Sequence, residues 1–288
     1  DDSELIVGPL FEKEIVHVAE WARERHIPVV SPLDPKAAPL VKENPFLFQY
    51  PPAQEPLVEQ TYQGVINECT ANGTRPLIIY ERWTGKSNMV TSAIKKIEEN
   101  NITPDTLAYG ILEGRGIDAT MLSKMDTTTV NTVFVVSESE AFVSDVMRNL
   151  LLVKGQMPQE GKISLYGYPK WKNFETIELS YFHDLNTHIS IQYNIDYNNQ
   201  ETKDFVARFT ENFQIDPNQY AFQGYDILTY FLNALNEYGR EFPAFIQLYE
   251  KSLLQSNIRF EKDSPQSGFT NNGIRNILYF DNWDIKPW

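Results

Sequence analysis

The chain has 288 residues, 42% of them hydrophobic and 22% charged, which is enough to bury one large core or two lobes and too apolar for a disordered chain. Its net charge of −14 at pH 7 argues against nucleic acid and anionic lipid as partners, since both call for a basic surface. No apolar run reaches the roughly 20 residues of a membrane span.

No signal peptide stands within these residues, so a secreted chain would have had one removed. In chain order, Leu5 to Val7 is a short apolar run stopped by Gly8-Pro9, as in a buried strand. From Glu12 to Arg25, Ile15, Val18, Ala19 and Ala22 recur at helical spacing, and acids sit at the start, where the helix dipole favours them. Ile27 to Val30, closed by Ser31-Pro32, is a second strand. Strand, helix, strand is the βαβ unit of a parallel sheet, in which ligands meet the loops after the strands' carboxyl ends. Asp34 to Val41 reads as a turn or short helix, and Pro45 to Tyr50 as a third strand. A helix over 55–70 carries the single cysteine, Cys69, on its apolar side as a structural thiol, and Gly73 caps its end. Strands at 76–80, 106–112, 131–136, 162–166 and 188–193 then alternate with helices at 87–99, 117–125, 138–153 and 171–179. Helices are predicted over 201–213, 218–238 and 242–254, and strands over 258–261 and 275–280. The pattern is α/β, with a doubly wound sheet.

Two stretches carry a family resemblance. Ile6-Val7-Gly8-Pro9-Leu10-Phe11, the helix, and Ile27-Pro28-Val29-Val30-Ser31-Pro32 resemble the signature of type I periplasmic binding proteins. That is the branched-chain amino-acid-binding family, which includes receptor ligand-binding regions. Tyr220 to Asp226, followed by Leu228, Tyr230, Phe231, Ala234 and Leu235, resembles the family's later hinge-side helix. The aromatic-rich version is similar to binding-protein-like modules of Bacteroidetes envelope proteins, often joined to a LysM domain.

The resemblance implies two Rossmann-like lobes with parallel sheets flanked by helices: 1–52 plus 200–262, and 53–199 plus 263–288. It implies an incomplete first lobe, because the family's first two strand–helix units would precede Asp1. An edge left open that way would invite a homodimer. The implied function is non-catalytic binding or sensing of a small polar solute between the lobes, with hinge closure, in the periplasm or cell envelope. An envelope or peptidoglycan-linked protein is the implied partner, and no cofactor is implied.

Catalytic patterns are scarce. His17, His26, His183 and His188 lack zinc-ligand spacing, and no nucleophile elbow, Walker loop or dinucleotide fingerprint occurs. The glycine-rich run 110–116 lacks the phosphate lysine, and the acidic stretches 216–218 and 281–284 miss the calcium-loop pattern. No metal is expected, and a carboxylate pair for hydrolysis, being spatial, stays open as an alternative.

By resemblance, the loops after Gly8-Pro9 and Ser31-Pro32 would hold a ligand carboxylate with hydroxyls and backbone N–H groups. Phe11, Glu12, Ser31, Leu33 and Asp34 stand there. Glu12 would repel such a carboxylate by roughly 4 kcal/mol at about 4 Å and an effective dielectric near 20. Pro35 offers neither hydroxyl nor N–H. A cation, an amine, or a sugar or peptidoglycan fragment fits better than an α-amino acid. A scaffold without a pocket is the alternative, with Glu12 serving its helix alone.

Tyr80, Trp83 and Thr84 follow a strand of the second lobe, and the resemblance makes Trp83 the aromatic that closes over the ligand. Tyr168 and Trp171 follow a later strand and either face the cleft or pack the lobe. Asp226 is expected to be a structural hydrogen-bond partner.

Overall fold

The computed structural model describes residues 3–84, 88–111, 117–158, 162–280 and 283–288. In chain order the elements are β1 (Ile6–Val7), α1 (Glu12–Arg23), β2 (Val29–Ser31), β3 (Leu47–Gln49), α2 (Gln54–Asn72), β4 (Leu77–Glu81), α3 (Asn88–Glu98) and β5 (Asp105–Tyr109). Then come α4 (Ile117–Leu122), β6 (Val130–Val136), α5 (Glu140–Gln156), β7 (Lys162–Gly167), α6 (Leu179–Asp184), β8 (Thr187–Ile191), α7 (Gln200–Phe213) and α8 (Gln219–Tyr238). The last are α9 (Phe242–Phe245), β9 (Lys251–Ser252), β10 (Asn257–Ile258), β11 (Phe260–Glu261), β12 (Phe269–Asn271), β13 (Arg275–Phe280) and β14 (Asp284–Pro287).

The chain divides into two compact units. Unit 1 is Asp1–Pro56 with Gln192–Arg275, and unit 2 is Leu57–Ile191 with Asn276–Trp288. The last division falls after Arg275 rather than at 262/263, because β12 is a strand of the unit 1 sheet, paired with β3.

In unit 1 the sheet order is β1-β2-β3-β12-β11. β1, β2, β3 and β12 pair in parallel, and β11 runs antiparallel at the far edge. Alternate residues of the strands face opposite layers. Val29 and Leu47 pack with Ile15, Ala19 and Ala22 of α1. Val30 and Phe48 pack with Ile227, Tyr230 and Phe231 of α8. Phe48 stacks on Phe269 with ring centroids 4.4 Å apart. Helix α8 runs against the strand direction. At its start Gln223 donates through Nε2 to the Pro32 carbonyl, just past β2, and beyond its end Arg240 pairs with Glu4 at 2.7 Å, just before β1. Asn218 caps its start through Oδ1, at 3.0 Å from the Tyr220 N–H and 3.1 Å from that of Ala221. Its amino end thus lies at the carboxyl ends of the strands.

The helix expected over 242–254 stops early. α9 ends at Phe245, a 3-10 turn follows at Ile246–Leu248, and β9 pairs antiparallel with β10. The N–H groups of Leu254, Gln255 and Ser256 turn to the Asp226 carboxylate, each at 3.0 Å, so no helix claims them.

Unit 2 carries a sheet of order β14-β13-β8-β7-β6-β4-β5. β5, β4, β6, β7 and β8 are parallel, and β13 and β14 form an antiparallel pair at one edge. Val133 to Val136 of β6 are buried on both faces, as a strand covered by helices on both sides must be. Phe142, Val146, Leu150 and Val153 line the buried side of α5, whose amino end Ser139 caps. Cys69 is buried on α2, and Gly73 ends that helix at φ +64. The helix expected over 171–179 is instead a 3-10 turn, Pro169–Asn173, followed by α6, because the Trp171 side chain inserts into the core. The Ser87 cap and most of the 110–116 run lie outside the described residues.

Candidate functional site

Unit 1 gathers Phe11, Glu12, Ser31, Leu33 and Asp34 at the carboxyl ends of β1 and β2. Phe11 is the residue before α1 and is exposed, with no side-chain cap of its own. Asp34 does the capping across the loops. Its Oδ2 accepts the Glu12 N–H at 3.0 Å and its Oδ1 the Lys36 N–H at 3.0 Å. The Glu12 and Lys36 N–H groups hold the Asp34 carboxyl below its ordinary pKa. A carboxylate from this chain therefore already occupies the start of α1, an end that favours negative charge. Ser31 is fully buried, and its Oγ has no partner among the described residues.

Leu33 lines a cavity of about 190 Å³ that belongs wholly to unit 1. Its walls come from the ends of several elements. Tyr50 to Pro52 follow β3, Gln192 and Tyr193 follow β8, Gln219, Tyr220 and Gln223 lie in the first turns of α8, and Gln255 and Ser256 lie between β9 and β10. Asp226, buried on α8, fixes the Gln255 segment through its three N–H acceptances. The Asn194 N–H adds a bond to the Gln255 carbonyl at 2.8 Å. The Tyr50 hydroxyl meets Ser256 Oγ at 2.6 Å, and Asn271 Nδ2 donates to the Tyr50 carbonyl at 3.1 Å. Burial pushes the Tyr50 phenol well above its ordinary pKa, so it stays neutral. Burial also raises Asp226, although three N–H groups pull it the other way.

In unit 2, Tyr80 is half-buried near the end of β4 and Trp83 is 72% exposed in the 3-10 turn Arg82–Thr84. The Trp83 ring lies against Gly110, where a methyl group would collide with it. The side chain of Thr84, and Gly85, lie outside the described residues. Tyr168 and Trp171 are each 1% exposed and belong to the core of unit 2. Trp171 donates through Nε1 to the Ser137 carbonyl at 2.8 Å and packs over Gly167, and Tyr168 stacks on Phe134. A larger open groove, about 990 Å³, lies at the amino ends of β4, β5 and β6. Within it Lys124 pairs with Asp105 at 2.9 Å, and Asp126 accepts the Thr128 N–H at 2.7 Å.

The amide side chains of the unit 1 cavity are absent from the candidate residues of the sequence reading. Gln223 sits inside the stretch Tyr220 to Asp226 that carries the resemblance, so a signal was present there. Gln192, Gln219 and Gln255 are isolated glutamines whose meeting depends on tertiary structure. Among the described residues no group of three or more His, Cys, Asp or Glu could hold a metal ion, and no helix is long and apolar enough to cross a membrane.

No protein-family model matches the sequence, and no curated protein matches it. Solved structures do resemble it in fold. One is a Rhodospirillum rubrum protein provisionally named a branched-chain amino acid ABC transporter, with a TM-score of 0.60 and 12% identity over 100% of this chain and 81% of that one. Another is an ABC transporter substrate-binding protein from Desulfitobacterium hafniense in complex with Leu, with a TM-score of 0.53 and 14% identity over 99% and 80% of the two chains. A further structure of a Desulfitobacterium hafniense substrate-binding protein gives 0.54 and 15% over the same shares. At these identities the likeness establishes the fold alone: parallel-dominated sheets flanked by helices, as in type I periplasmic binding proteins.

Proposed function

We propose that the chain binds a small polar solute, without catalysis, at the carboxyl ends of the parallel strands of unit 1, in the periplasm or cell envelope. The observation that carries the proposal is the cavity where β2, β3 and α8 end, lined by uncharged hydrogen-bonding side chains. Carboxyl ends of parallel strands are where open α/β sheets bind ligands. Concave sites with a few convergent polar groups are the usual small-molecule sites. The fold is shared with substrate-binding proteins, one of them solved with Leu. By the same resemblance Trp83, exposed on unit 2, is a candidate ligand aromatic. The resemblance also adds a peptidoglycan-linked neighbour of the LysM-associated kind, and a second copy pairing at the edge strand β1.

A thermal-shift screen of neutral and charged metabolites tests the binding function. A solute at 100 times its dissociation constant adds about 2.7 kcal/mol, which raises the melting temperature of a chain this size by roughly 4–5 °C. A folded protein that shifts with no compound favours the scaffold alternative. One observation already speaks for that alternative: Asp34 fills the start of α1 with a carboxylate of the chain itself.

A further inference from the structure

The geometry points to an uncharged, polyhydroxylated solute, one sugar ring in size, held in the unit 1 cavity by the amide carbonyls of Gln192, Gln223 and Gln255. This narrows the solute-binding function proposed above to a chemical class and rests on it.

Charge decides first. None of the cavity's lining residues is ionic. Two charged groups stand behind its wall, each turned to the backbone, with Arg275 Nε left without a partner among the described residues. Asp226 accepts from Leu254, Gln255 and Ser256, and Arg275 donates through Nη2 to the Leu253 carbonyl at 2.5 Å. Burying an ion without a counter-charge is expensive. A zwitterionic amino acid would bring two charges to a lining that offers a counter-charge to neither.

Hydrogen-bond valence decides next. An amide side chain has one carbonyl acceptor and one NH2 donor group. Gln192 gives its Nε2 to the Pro52 carbonyl at 3.2 Å, and Gln223 gives its own to the Pro32 carbonyl. Each is thereby oriented, and each keeps its Oε1 acceptor and one further N–H. Gln255 is 2% exposed, and its Oε1 has no partner among the described residues. Gln219 is the converse: its Oε1 takes the Tyr193 hydroxyl, so its Nε2 remains. Amide carbonyls and amide N–H groups side by side call for a ligand that both donates and accepts. A hydroxyl gives one hydrogen and still accepts, so a polyol answers both kinds of group. Tyr193 and Tyr220 supply ring surface for the C–H face of a sugar. A volume of about 190 Å³ equals about six waters of liquid, the scale of one ring.

Calorimetric titration of the full chain with D-glucose, D-ribose and N-acetyl-D-glucosamine, against L-leucine, L-glutamate and putrescine, tests the class. At least one neutral sugar is expected to bind, and the charged probes are not. Gln255→Leu removes the buried acceptor and is expected to weaken that sugar about tenfold or more, with the melting temperature kept near the wild-type value. Gln192→Ala, at a half-buried position, repeats the test should Gln255→Leu fold poorly. Binding of leucine, glutamate or putrescine in place of the sugars overturns the class and leaves solute binding standing, as does sugar binding indifferent to both substitutions. No heat with any probe in a folded protein overturns both, the cavity then holding ordered water only.

Discussion

Asp226 shows how one carboxylate sets the geometry of a site it does not enter. Its two oxygens accept three backbone N–H groups, and those groups belong to the segment that carries Gln255 and Ser256 to the cavity. In Asp226→Asn an NH2 group would face at least one of these donors, leaving buried N–H groups unpaired. The expected loss is about 2–3 kcal/mol, read as a fall in the denaturant midpoint, with weaker solute binding. A variant as stable as the wild type would show that the three bonds are dispensable. The sequence made Asp226 recognisable as a structural partner, because it closes an aromatic-rich stretch on a helix. It did not reveal Asp34 as the cap of α1, since Asp34 lies 22 residues from the N–H it accepts. Local reading finds caps within one turn and is blind to one supplied across loops. The Asp34 bond is favourable only while the carboxylate is ionised. Its folded pKa is depressed, so its contribution is full above the ordinary carboxylate range and is lost as pH falls through the folded value.

At the scale of elements, β7 and β8 bury His188 against Tyr166, with ring centroids 4.4 Å apart, and the Trp288 ring meets both. Burial pushes His188 down to about 4, and it stays neutral in the folded unit. The unfolded chain binds a proton near pH 6.5. A depressed folded pKa means the contribution is full above about pH 6.5 and is lost as pH falls through about 4. Unfolding at pH 5 should therefore be easier than at pH 7 by about 2 kcal/mol on this account. His188→Phe should remove that part of the pH dependence. Glu68, raised by burial beside Ser164, Thr132 and Tyr166, contributes with the opposite sign, but it is common to both proteins. Equal pH dependence in the two would contradict the assignment.

Elements were legible where periodicity was strong. The parallel strands and helices α1, α5 and α8 follow from runs of apolar residues at spacing 2 or 3.6. The stretch 242–254 has apolar residues enough for a helix, yet tertiary bonds to Asp226 take its backbone into a turn and a hairpin. Trp171 and Tyr168 follow a strand end, where site residues often stand, but large aromatics are as apt to fill a core. Sequence carries no sign that separates those two uses.

The whole molecule carries −14, which disfavours polyanions and also opposes its own association. Strand β1 ends the unit 1 sheet, with Val7, Leu10 and Phe11 exposed beside it. If a second copy pairs there, screening must help. Sedimentation should then show more dimer at about 0.5 M salt than at about 0.02 M, since the screening length shrinks several-fold. A monomer at both would remove that partner. The general α/β organisation was readable from rhythm alone, whereas the cavity was not, because its glutamines are drawn from positions 192, 219, 223 and 255 of the chain.

The central claim is that the unit 1 cavity receives a solute. Leu33→Trp tests it most directly, because Leu33 lines the cavity and is half-buried, so a larger ring can fill the space from the loop side. The melting-temperature rise with the strongest solute of the screen is compared in the two proteins. The account predicts a rise of several degrees in the wild type and none in Leu33→Trp, whose melting temperature without solute stays close to that of the wild type. An equal rise in both proteins would place the solute elsewhere and contradict the account.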